Sequence, residues 1–232
     1  MKSVLDAARR PVARKREFFG RRKGRRLRPQ QQKLIETALP DLVIDRTELA
    51  QSSQSGQKIW LEIGFGSGEH LLWQAQNNPD TNFIGCEVYL NGVAKLLSGI
   101  EDRSITNIRL WNDDARLLLA DLPELSIDRM FILFPDPWPK FRHRKRRILN
   151  PQTLSDIATV LRPGGVLRVA TDIPDYQFWI LHSVLISEKF HWLASGPSDW
   201  RDRLEDWPQT RYEKKAISAN RTCAYFSFVR KD

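Results

Sequence analysis

The chain of 232 residues is poor in cysteine and histidine and contains no long apolar run. Its two cysteines, Cys86 and Cys223, are too few for a disulfide framework and favour a reducing compartment, so we expect a cytoplasmic protein. The four histidines, at positions 70, 143, 182 and 191, have no metal-ligand spacing, and we expect no metal site. Because no segment approaches the roughly 18 apolar residues of a membrane span and the N-terminus has no secretory signal, we expect no membrane partner.

Positive charge is abundant, and nearly all of the excess lies at the N-terminus. Residues 1–28 contain twelve Lys or Arg against two acids, whereas the other 204 residues contain twenty-five bases and twenty-six acids. We interpret residues 1–33 as a basic arm, mobile without a ligand, that contacts phosphate. Residues 34–232 are long enough for one domain with a sizeable core. A solubilising tail and an organellar presequence are the alternatives for the arm.

Short apolar runs alternate with segments of helical periodicity from residue 58 onward. Apolar residues at i, i+3, i+4 and i+7 predict helices around residues 93–100 and 154–161. The other predicted helices are 69–77, 115–120 and one near 175–187, and the predicted strands are 58–63, 82–88, 107–111, 129–134, 166–170, 190–194 and 222–229. This alternation predicts an α/β, Rossmann-like fold with a mostly parallel sheet covered by helices on both faces.

Acidic residues occur at the carboxyl ends of the first five predicted strands, where open parallel sheets bind their ligands. These residues are Glu62, Glu87, Asp113 with Asp114, Asp136 and Asp172. A glycine loop at 64–68 follows the first strand and allows a ligand to approach the backbone closely. Its G-x-G-x-G spacing differs from the G-x-G-x-x-G of dinucleotide sites, and a pyrophosphate would prefer cations. A dehydrogenase is therefore disfavoured.

A ligand with positive charge, ribose hydroxyls and an exocyclic amine suits this acidic crevice, and S-adenosylmethionine has all three. We expect Glu62 near the methionine portion, Glu87 as acceptor from both ribose hydroxyls, and Asp114 as acceptor from adenine N6. The alternative for each acid is a helix cap or a solvated loop residue. The predicted cofactor-binding residues in this crevice are Glu62, Gly64, Gly66, Gly68, Glu87, Asp113 and Asp114.

The segment 134–147 combines an acid between two prolines, an aromatic residue and a basic run. Cations neutralise phosphates and aromatic rings stack on bases, so we expect a nucleic-acid substrate. Methylation of an amine requires loss of a proton. Guanine N7 has an in-plane lone pair, and its methylation needs mainly positioning and a carboxylate near the developing positive charge. Asp136, held between Pro135 and Pro137, suits either reaction, and a rigid turn with a solvated acid is the alternative.

These motifs together resemble the bacterial, single-chain tRNA (guanine-N7-)-methyltransferase family over nearly the whole chain. The most specific match is Phe-Pro-Asp-Pro-Trp-Pro-Lys at 134–140 with the basic run 142–147; the other matching segments are 19–25, 61–68, 85–88, 112–115, 170–172 and 210–213. The resemblance implies a class I S-adenosylmethionine-dependent methyltransferase fold with a seven-stranded sheet. Two positions depart from the family pattern: Tyr89-Leu90-Asn91 replaces His-x-Pro, and Lys215 replaces an arginine.

The resemblance also implies a product, 7-methylguanosine in the tRNA variable loop, and roles for individual residues. By this resemblance Asp136 would line the S-adenosylmethionine site as a cofactor-binding residue and would be the catalytic acid. Separately, we expect a monomer or a homodimer. The residues implied to contact the target guanosine are Lys140, Asp172, Thr210, Arg211, Tyr212 and Glu213. The residues implied to bind RNA are Arg142, His143, Arg144, Lys145, Arg146 and Arg147. An amine-directed nucleic-acid methyltransferase and a non-enzymatic RNA-binding protein on the same fold are the alternative functions.

Overall fold

A computed structural model of the chain describes residues 20–44, 47, 50, 51 and 56–232. Its centre is a seven-stranded sheet with the order β3-β2-β1-β4-β5-β7-β6. The strands are β1 (Lys58–Ile63), β2 (Thr81–Cys86), β3 (Ile108–Trp111), β4 (Ile127–Leu133), β5 (Leu161–Thr171), β6 (Phe190–Trp192) and β7 (Ala224–Arg230). The first five strands pair in parallel, and β7 pairs antiparallel with both β5 and β6. The order reverses between β1 and β4, which is the topological switch point.

Helices connect the strands and cover both faces of the sheet. The helices are α1 (Pro29–Thr37), α2 (Leu39–Leu42), α3 (Glu69–Asn77), α4 (Leu90–Arg103), α5 (Ala115–Asp121), α6 (Pro151–Val160), α7 (Pro174–Ile186), α8 (Ser198–Arg201) and α9 (Arg211–Ser218), with a 3₁₀ helix at Phe141–Arg146. Neighbouring residues of a strand point to opposite faces. Met130 of β4 therefore packs in one hydrophobic cluster and Phe131 in the other. Burial on both faces explains why the central strands read as apolar runs.

The predicted α/β fold and its mostly parallel sheet are confirmed, and the bounds of β1 and α3 match those predicted. The assignment of Leu161 to a helix was wrong. Leu161 has an extended backbone and pairs with Ile127, and the register then jumps so that Arg129 pairs with Val166. A proline at 163 and a glycine at 164 with φ of +73° prevent the helix from continuing and form this bulge.

The described end of the basic arm runs directly into α1, which spans the expected boundary between residues 33 and 34. Leu34 of this helix is buried in the hydrophobic cluster that also contains Val93 and Leu97 of α4. The helix begins at Pro29, a residue well suited to a first turn because its missing N–H has no partner to lose there. The division of the chain at this boundary stays a prediction, and residues 1–19 lie outside the described residues.

Candidate active site

The carboxyl ends of the parallel strands form one crevice on both sides of the switch point. Backbone pairing continues past the strands there: Gly64 N donates to Cys86 O at 2.8 Å, and Phe134 N donates to Ala170 O at 2.8 Å. The two turns that leave β1 and β4 are therefore adjacent. The pocket between them is lined by Glu62, Gly64, Phe65, Ser67, Glu69, His70, Leu133, Phe134, Thr210 and Tyr212.

The glycine loop after β1 adopts a backbone that other residues rarely tolerate. Gly64, Gly66 and Gly68 have φ values of +78°, +59° and +79°, in the left-handed region that favours glycine. A Cβ on Gly68 would lie 2.4 Å from Leu96 Cδ1, and one on Gly66 would lie 3.2 Å from the Tyr212 ring. The loop is thus confined between α4 on one side and the aromatic ring of α9 on the other.

Glu87, just after β2, is bound to the glycine loop. Its Oε2 accepts the N–H of Gly66 at 2.9 Å, and its Oε1 accepts those of Val88 and Tyr89 at 2.8 and 2.9 Å. Burial raises its pKa, the three backbone N–H groups oppose that rise, and the charge of Asp136 adds to it. Because β2 and β4 flank β1 in the parallel sheet, the acids that follow these two strands lie at the same end of the sheet. Oε2 carries one hydrogen bond and can accept another.

The two acids after β3 already have cationic partners. Asp114 caps α5 by accepting from Arg116 N at 2.9 Å, and its Oδ2 pairs with Arg116 Nη2 at 2.6 Å. Burial raises the pKa of Asp114, but the hydrogen bonds and charge of Arg116 outweigh it, and the net pKa is lowered. Asp113 accepts from Arg22 Nη2 at 3.0 Å. Both carboxylates are therefore held by an arginine, and a contact of Asp114 with an adenine amine stays a prediction.

Glu62 is buried in β1 and is held by His70 of α3, with 2.7 Å between its Oε2 and His70 Nδ1. Gln74 Nε2 donates to the backbone carbonyl of Asp206 at 2.8 Å, which fixes the orientation of the amide. The same nitrogen lies 3.1 Å from His70 Nε2, so that ring atom is an acceptor and Nδ1 carries the proton. His70 therefore donates to Glu62 through Nδ1 and accepts through Nε2. The sequence pattern excludes His70 only as a metal ligand and gives no sign of its contact with Glu62.

Asp136 lies in the loop after β4, between two residues with left-handed backbones, Phe134 at φ +50° and Trp138 at φ +41°. Its side chain is exposed and accepts no hydrogen bond from any residue in the described part of the chain. The protein atoms around the carboxyl group nevertheless desolvate it enough to raise its pKa. A carboxylate without a protein partner is thus presented beside Glu87. This arrangement can stabilise positive charge on a ligand.

Arg147 corrects the predicted set of RNA-binding residues. Its side chain is buried, with Nε donating to Pro137 O at 2.8 Å and a second nitrogen paired with Asp175. The guanidinium lies over the rings of Tyr176 and Trp179, at 4.8 and 5.0 Å from their centroids. Because these contacts bury the charge, we remove Arg147 from the RNA-binding residues. It anchors the loop after β4.

The rest of the basic run lies in the 3₁₀ helix at 141–146, nearer to solvent. Arg142 and Lys145 are exposed, as is Lys140 before the helix. Arg144 pairs with Asp175 at 2.6 Å. Arg146 covers the ring of Trp138 at 4.9 Å, and His143 contacts the edge of the same ring at 5.9 Å. Some residues of this 3₁₀ helix therefore pack against the loop, while its other cations are exposed.

Helix α9 brings the segment 210–213 to the glycine loop. Thr210 caps this helix by accepting from Glu213 N at 3.3 Å, and Arg211 N donates to Glu69 Oε2 of α3 at 2.5 Å. Tyr212 contacts Gly66, as described above. Glu213 lies beneath, buried, accepting from Tyr225 Oη at 2.7 Å, while its Oε2 has no hydrogen-bond partner among the described residues. A distant part of the chain thus completes one wall of the pocket.

Asp172, after β5, pairs with Arg221 Nε at 2.6 Å and lies on the α9 side of the crevice. Within the described residues, no cluster of three or more His, Cys, Asp or Glu side chains could hold a metal ion. The described helices also include none that is both long and apolar enough to cross a membrane. The crevice therefore offers carboxylates, a glycine loop and aromatic rings as its binding groups.

Comparisons with known proteins agree with this geometry. Residues 56–225 match a family model described as "Putative methyltransferase". A "tRNA (guanine-N(7)-)-methyltransferase" of Rhodospirillum rubrum is 46% identical over 223 residues, covering 92% of this chain and 88% of the relative. One of Chelativorans sp. is 44% identical over 230 residues, covering 97% and 99%.

Among solved structures, this chain is similar to a 16S rRNA (adenine(1408)-N(1))-methyltransferase from Catenulisporales acidiphilia, determined with the cosubstrate SAM. The TM-score is 0.56 at 17% sequence identity, and the match covers 82% of this chain and 92% of that chain. At this identity the likeness shows the fold alone. It supports the class I methyltransferase architecture that the sheet order indicates.

Proposed function

The chain belongs to the tRNA (guanine-N(7)-)-methyltransferase family, and from this premise we propose that it transfers a methyl group from S-adenosylmethionine to N7 of a guanosine in the tRNA variable loop. The family and the enzyme class predicted from the sequence are thereby confirmed. The observation that carries the proposal is Asp136, a carboxylate beside the acidic crevice that accepts no hydrogen bond from the described residues. We also propose that the enzyme works in the cytoplasm, where its tRNA substrate is available, as a monomer or a homodimer.

The residues of the crevice fit S-adenosylmethionine by their donor chemistry. Gly64, Gly66 and Gly68 leave space for close approach to the backbone, Glu87 retains acceptor capacity on Oε2, and Glu62 is a carboxylate held in position by His70. These groups suit hydroxyls and a cation better than a pyrophosphate. When bound, the cofactor supplies a methyl group on a positively charged sulfur. Asp113 and Asp114 complete the predicted binding set at the end of β3.

The reaction requires little proton transfer by the protein. The lone pair of guanine N7 forms the new bond to the methyl carbon while the carbon–sulfur bond breaks, so positive charge moves from sulfur to the purine. We propose that Asp136 stabilises this charge electrostatically and does not act as a base, because N7 has no proton to lose. Desolvation raises the pKa of Asp136, and the proposed role uses its ionised form.

The substrate side consists of the basic helix and α9. We propose that Lys140, Asp172 and residues 210–213 hold the target guanosine, and that the exposed Arg142 and Lys145 contact RNA phosphates. Tyr212 supports this proposal because its ring is half exposed and rests on the glycine loop, where it can stack on a base. His143, Arg144 and Arg146 contribute through the shape and charge of the same helix.

Nucleoside analysis after methyl transfer tests the proposal directly. The protein is incubated with methyl-labelled S-adenosylmethionine and unmodified tRNA, and the digested RNA is expected to contain labelled 7-methylguanosine. A tRNA with adenosine in place of the variable-loop guanosine is the matched control and should stay unlabelled. Label on an exocyclic amine would support the amine-directed alternative. Absence of cofactor binding in calorimetry would support a non-enzymatic RNA-binding protein.

A further inference from the structure

A segment of the N-terminal arm is attached to the rim of the candidate active site. Leu90 N donates to the carbonyl of Arg22 at 2.9 Å. Asn91 then holds the segment from both sides, since its Oδ1 accepts from Gly24 N at 2.8 Å and its Nδ2 donates to the carbonyl of Arg25 at 2.7 Å. We call residues 22–25 the strap. Three hydrogen bonds to the start of α4 give it a defined backbone path.

Gly24 makes the contact of the strap with the site close. A Cβ at this position would lie 2.1 Å from the hydroxyl oxygen of Tyr89 and 3.0 Å from Asn91 Oδ1, so only glycine fits there without a shift. The backbone N–H of Tyr89 is one of the donors to Glu87, and Glu87 in turn accepts from Gly66. The strap therefore lies against Tyr89, and Tyr89 is hydrogen-bonded to Glu87, a predicted cofactor-binding residue.

Arg22 attaches the strap at a second point. Its Nη2 lies 3.0 Å from Asp113 Oδ1, and the same oxygen accepts from Asp114 N at 2.9 Å. The strap thus bridges the ends of β2 and β3, the two strands whose acids are predicted to hold the ribose and the adenine. Asn91 and Arg22 are positioning residues, because they reach the cofactor residues only through the strap, Tyr89 and Asp113.

The outer side of this segment carries the charge that RNA would contact. Besides Arg22, five cations in and beside the strap are exposed: Arg21, Lys23, Arg25, Arg26 and Arg28. Like charges concentrated in so few residues repel one another, and a polyanion relieves that repulsion. A nucleic acid bound to these cations would therefore touch a segment that is tied to the cofactor residues.

We propose that the strap couples tRNA binding to cofactor binding, so that each ligand raises the affinity for the other; this rests on the proposed function. Docking the strap costs conformational entropy. A ligand on either side that favours the docked strap spares the second ligand part of that cost. By thermodynamic linkage, the factor by which tRNA tightens cofactor binding equals the factor by which the cofactor tightens tRNA binding.

Binding measurements test this coupling without methyl transfer. The dissociation constant of S-adenosylhomocysteine, which cannot donate a methyl group, is measured by calorimetry with and without saturating unmodified tRNA. The dissociation constant of tRNA is measured with and without S-adenosylhomocysteine. We expect both ratios in the full chain to agree, at about fivefold or more. Asn91→Ala and Arg22→Ala should each reduce the ratio towards one, and Arg22→Lys, which keeps the charge, should restore part of it.

Arg26→Ala is the matched control, since it removes an exposed cation of the same segment outside the strap. It should weaken tRNA binding and leave the ratio unchanged. A ratio of one in the full chain, or an unchanged ratio in both Asn91→Ala and Arg22→Ala, would overturn the proposed coupling through the strap. Failure of the full chain to bind either ligand would count against the proposed function instead. Thermal unfolding of each variant shows whether a loss reflects the contact or the fold.

Discussion

The ends of β1–β3 and the loop after β4 present similar acids in opposite states. Glu62, Glu87 and Asp114 have their carboxylates held by a histidine, by backbone N–H groups and by an arginine. Asp136, on the loop, accepts no hydrogen bond within the described residues. Carboxylates with partners keep a fixed position. A carboxylate without such a partner is available to interact with a ligand. It can therefore stabilise a charge that appears only during the reaction.

Replacing the unpartnered acid should give the largest effect. Asp136→Asn keeps the shape of the side chain and removes its charge, so we expect kcat to fall about 100- to 1000-fold, as when one preorganised electrostatic group is lost. Single-turnover rates at saturating substrates measure this. Asp80→Asn is the matched control, because Asp80 is exposed just before β2, at the end of the strands opposite the crevice. Normal turnover in Asp136→Asn would erase the contrast between the two regions.

Removing the partner of a held acid should affect stability as well as binding. His70→Ala leaves Glu62 buried with an unsatisfied oxygen, and we expect a loss of about 1–3 kcal/mol in the free energy of unfolding. Cofactor affinity should fall with it, while kcat at saturation changes far less than in Asp136→Asn. Urea denaturation and calorimetry are the measurements. His70→Gln, which can still donate to Glu62, should recover part of both losses.

For His70→Ala, the exposed Gln76 of the same helix supplies the control variant, Gln76→Ala. Unfolding free energies that are equal for His70→Ala and Gln76→Ala would mean that the contact with Glu62 contributes nothing. A large loss of kcat with unchanged cofactor affinity would also contradict the assignment, because it would give His70 a role in the reaction itself.

The pH dependence of activity and of stability should separate the two regions. The pKa of Asp136 is raised by desolvation, so the carboxylate is lost, and activity with it, as the pH falls through a value above that of an ordinary aspartate. For Asp114, burial raises the pKa but Arg116 lowers it more, so its net pKa is lowered. Its contribution to stability is complete above the unfolded pKa and is lost only as the pH falls through the folded one. Activity should thus decline at a higher pH than this stability. The rate and the free energy of unfolding are measured over the same acid range. A decline of both at the same pH would contradict this prediction.

The smallest expected effect concerns the exposed cations of the loop region. Arg142→Ala with Lys145→Ala should weaken tRNA binding and reduce the slope of log affinity against log salt by about one to two. Lys58→Ala with Lys189→Ala removes the same charge from exposed positions outside the loop. Filter binding between about 50 and 200 mM salt compares the pairs. Equal slopes would mean that the 3₁₀ helix at 141–146 is not part of the RNA surface.

Much of the fold and part of the site could be predicted because local pattern and topology determine them. Strands buried on both faces read as apolar runs, and parallel strands bring their carboxyl-end acids together whatever the loops do. Helix α9 was missed although Thr210 and Glu213 have the spacing of a helix N-terminus. This spacing indicates the start of a helix, but the resemblance assigns the segment only to substrate binding.

Other features could not be predicted because they depend on contacts between distant residues. No local pattern pairs His70 with Glu62 or Arg22 with Asp113. Arg147 stands in a run of cations, which normally indicates solvent exposure, yet Asp175 and two aromatic rings bury it. Charge patterns describe the surface on average, and a single residue of such a run can still be the one that packs inward.

The position of β7 between β5 and β6 sets the order in which the site can be completed during synthesis. β6 pairs with no other described strand, so it has no place in the sheet until β7 has been made. Tyr225 of β7 also supplies the hydroxyl that holds Glu213 beneath the glycine loop. The crevice of β1–β4 can therefore form on a nascent chain before its α9 wall is fixed. Translation of β7 is therefore the step that fixes the α9 wall of the crevice.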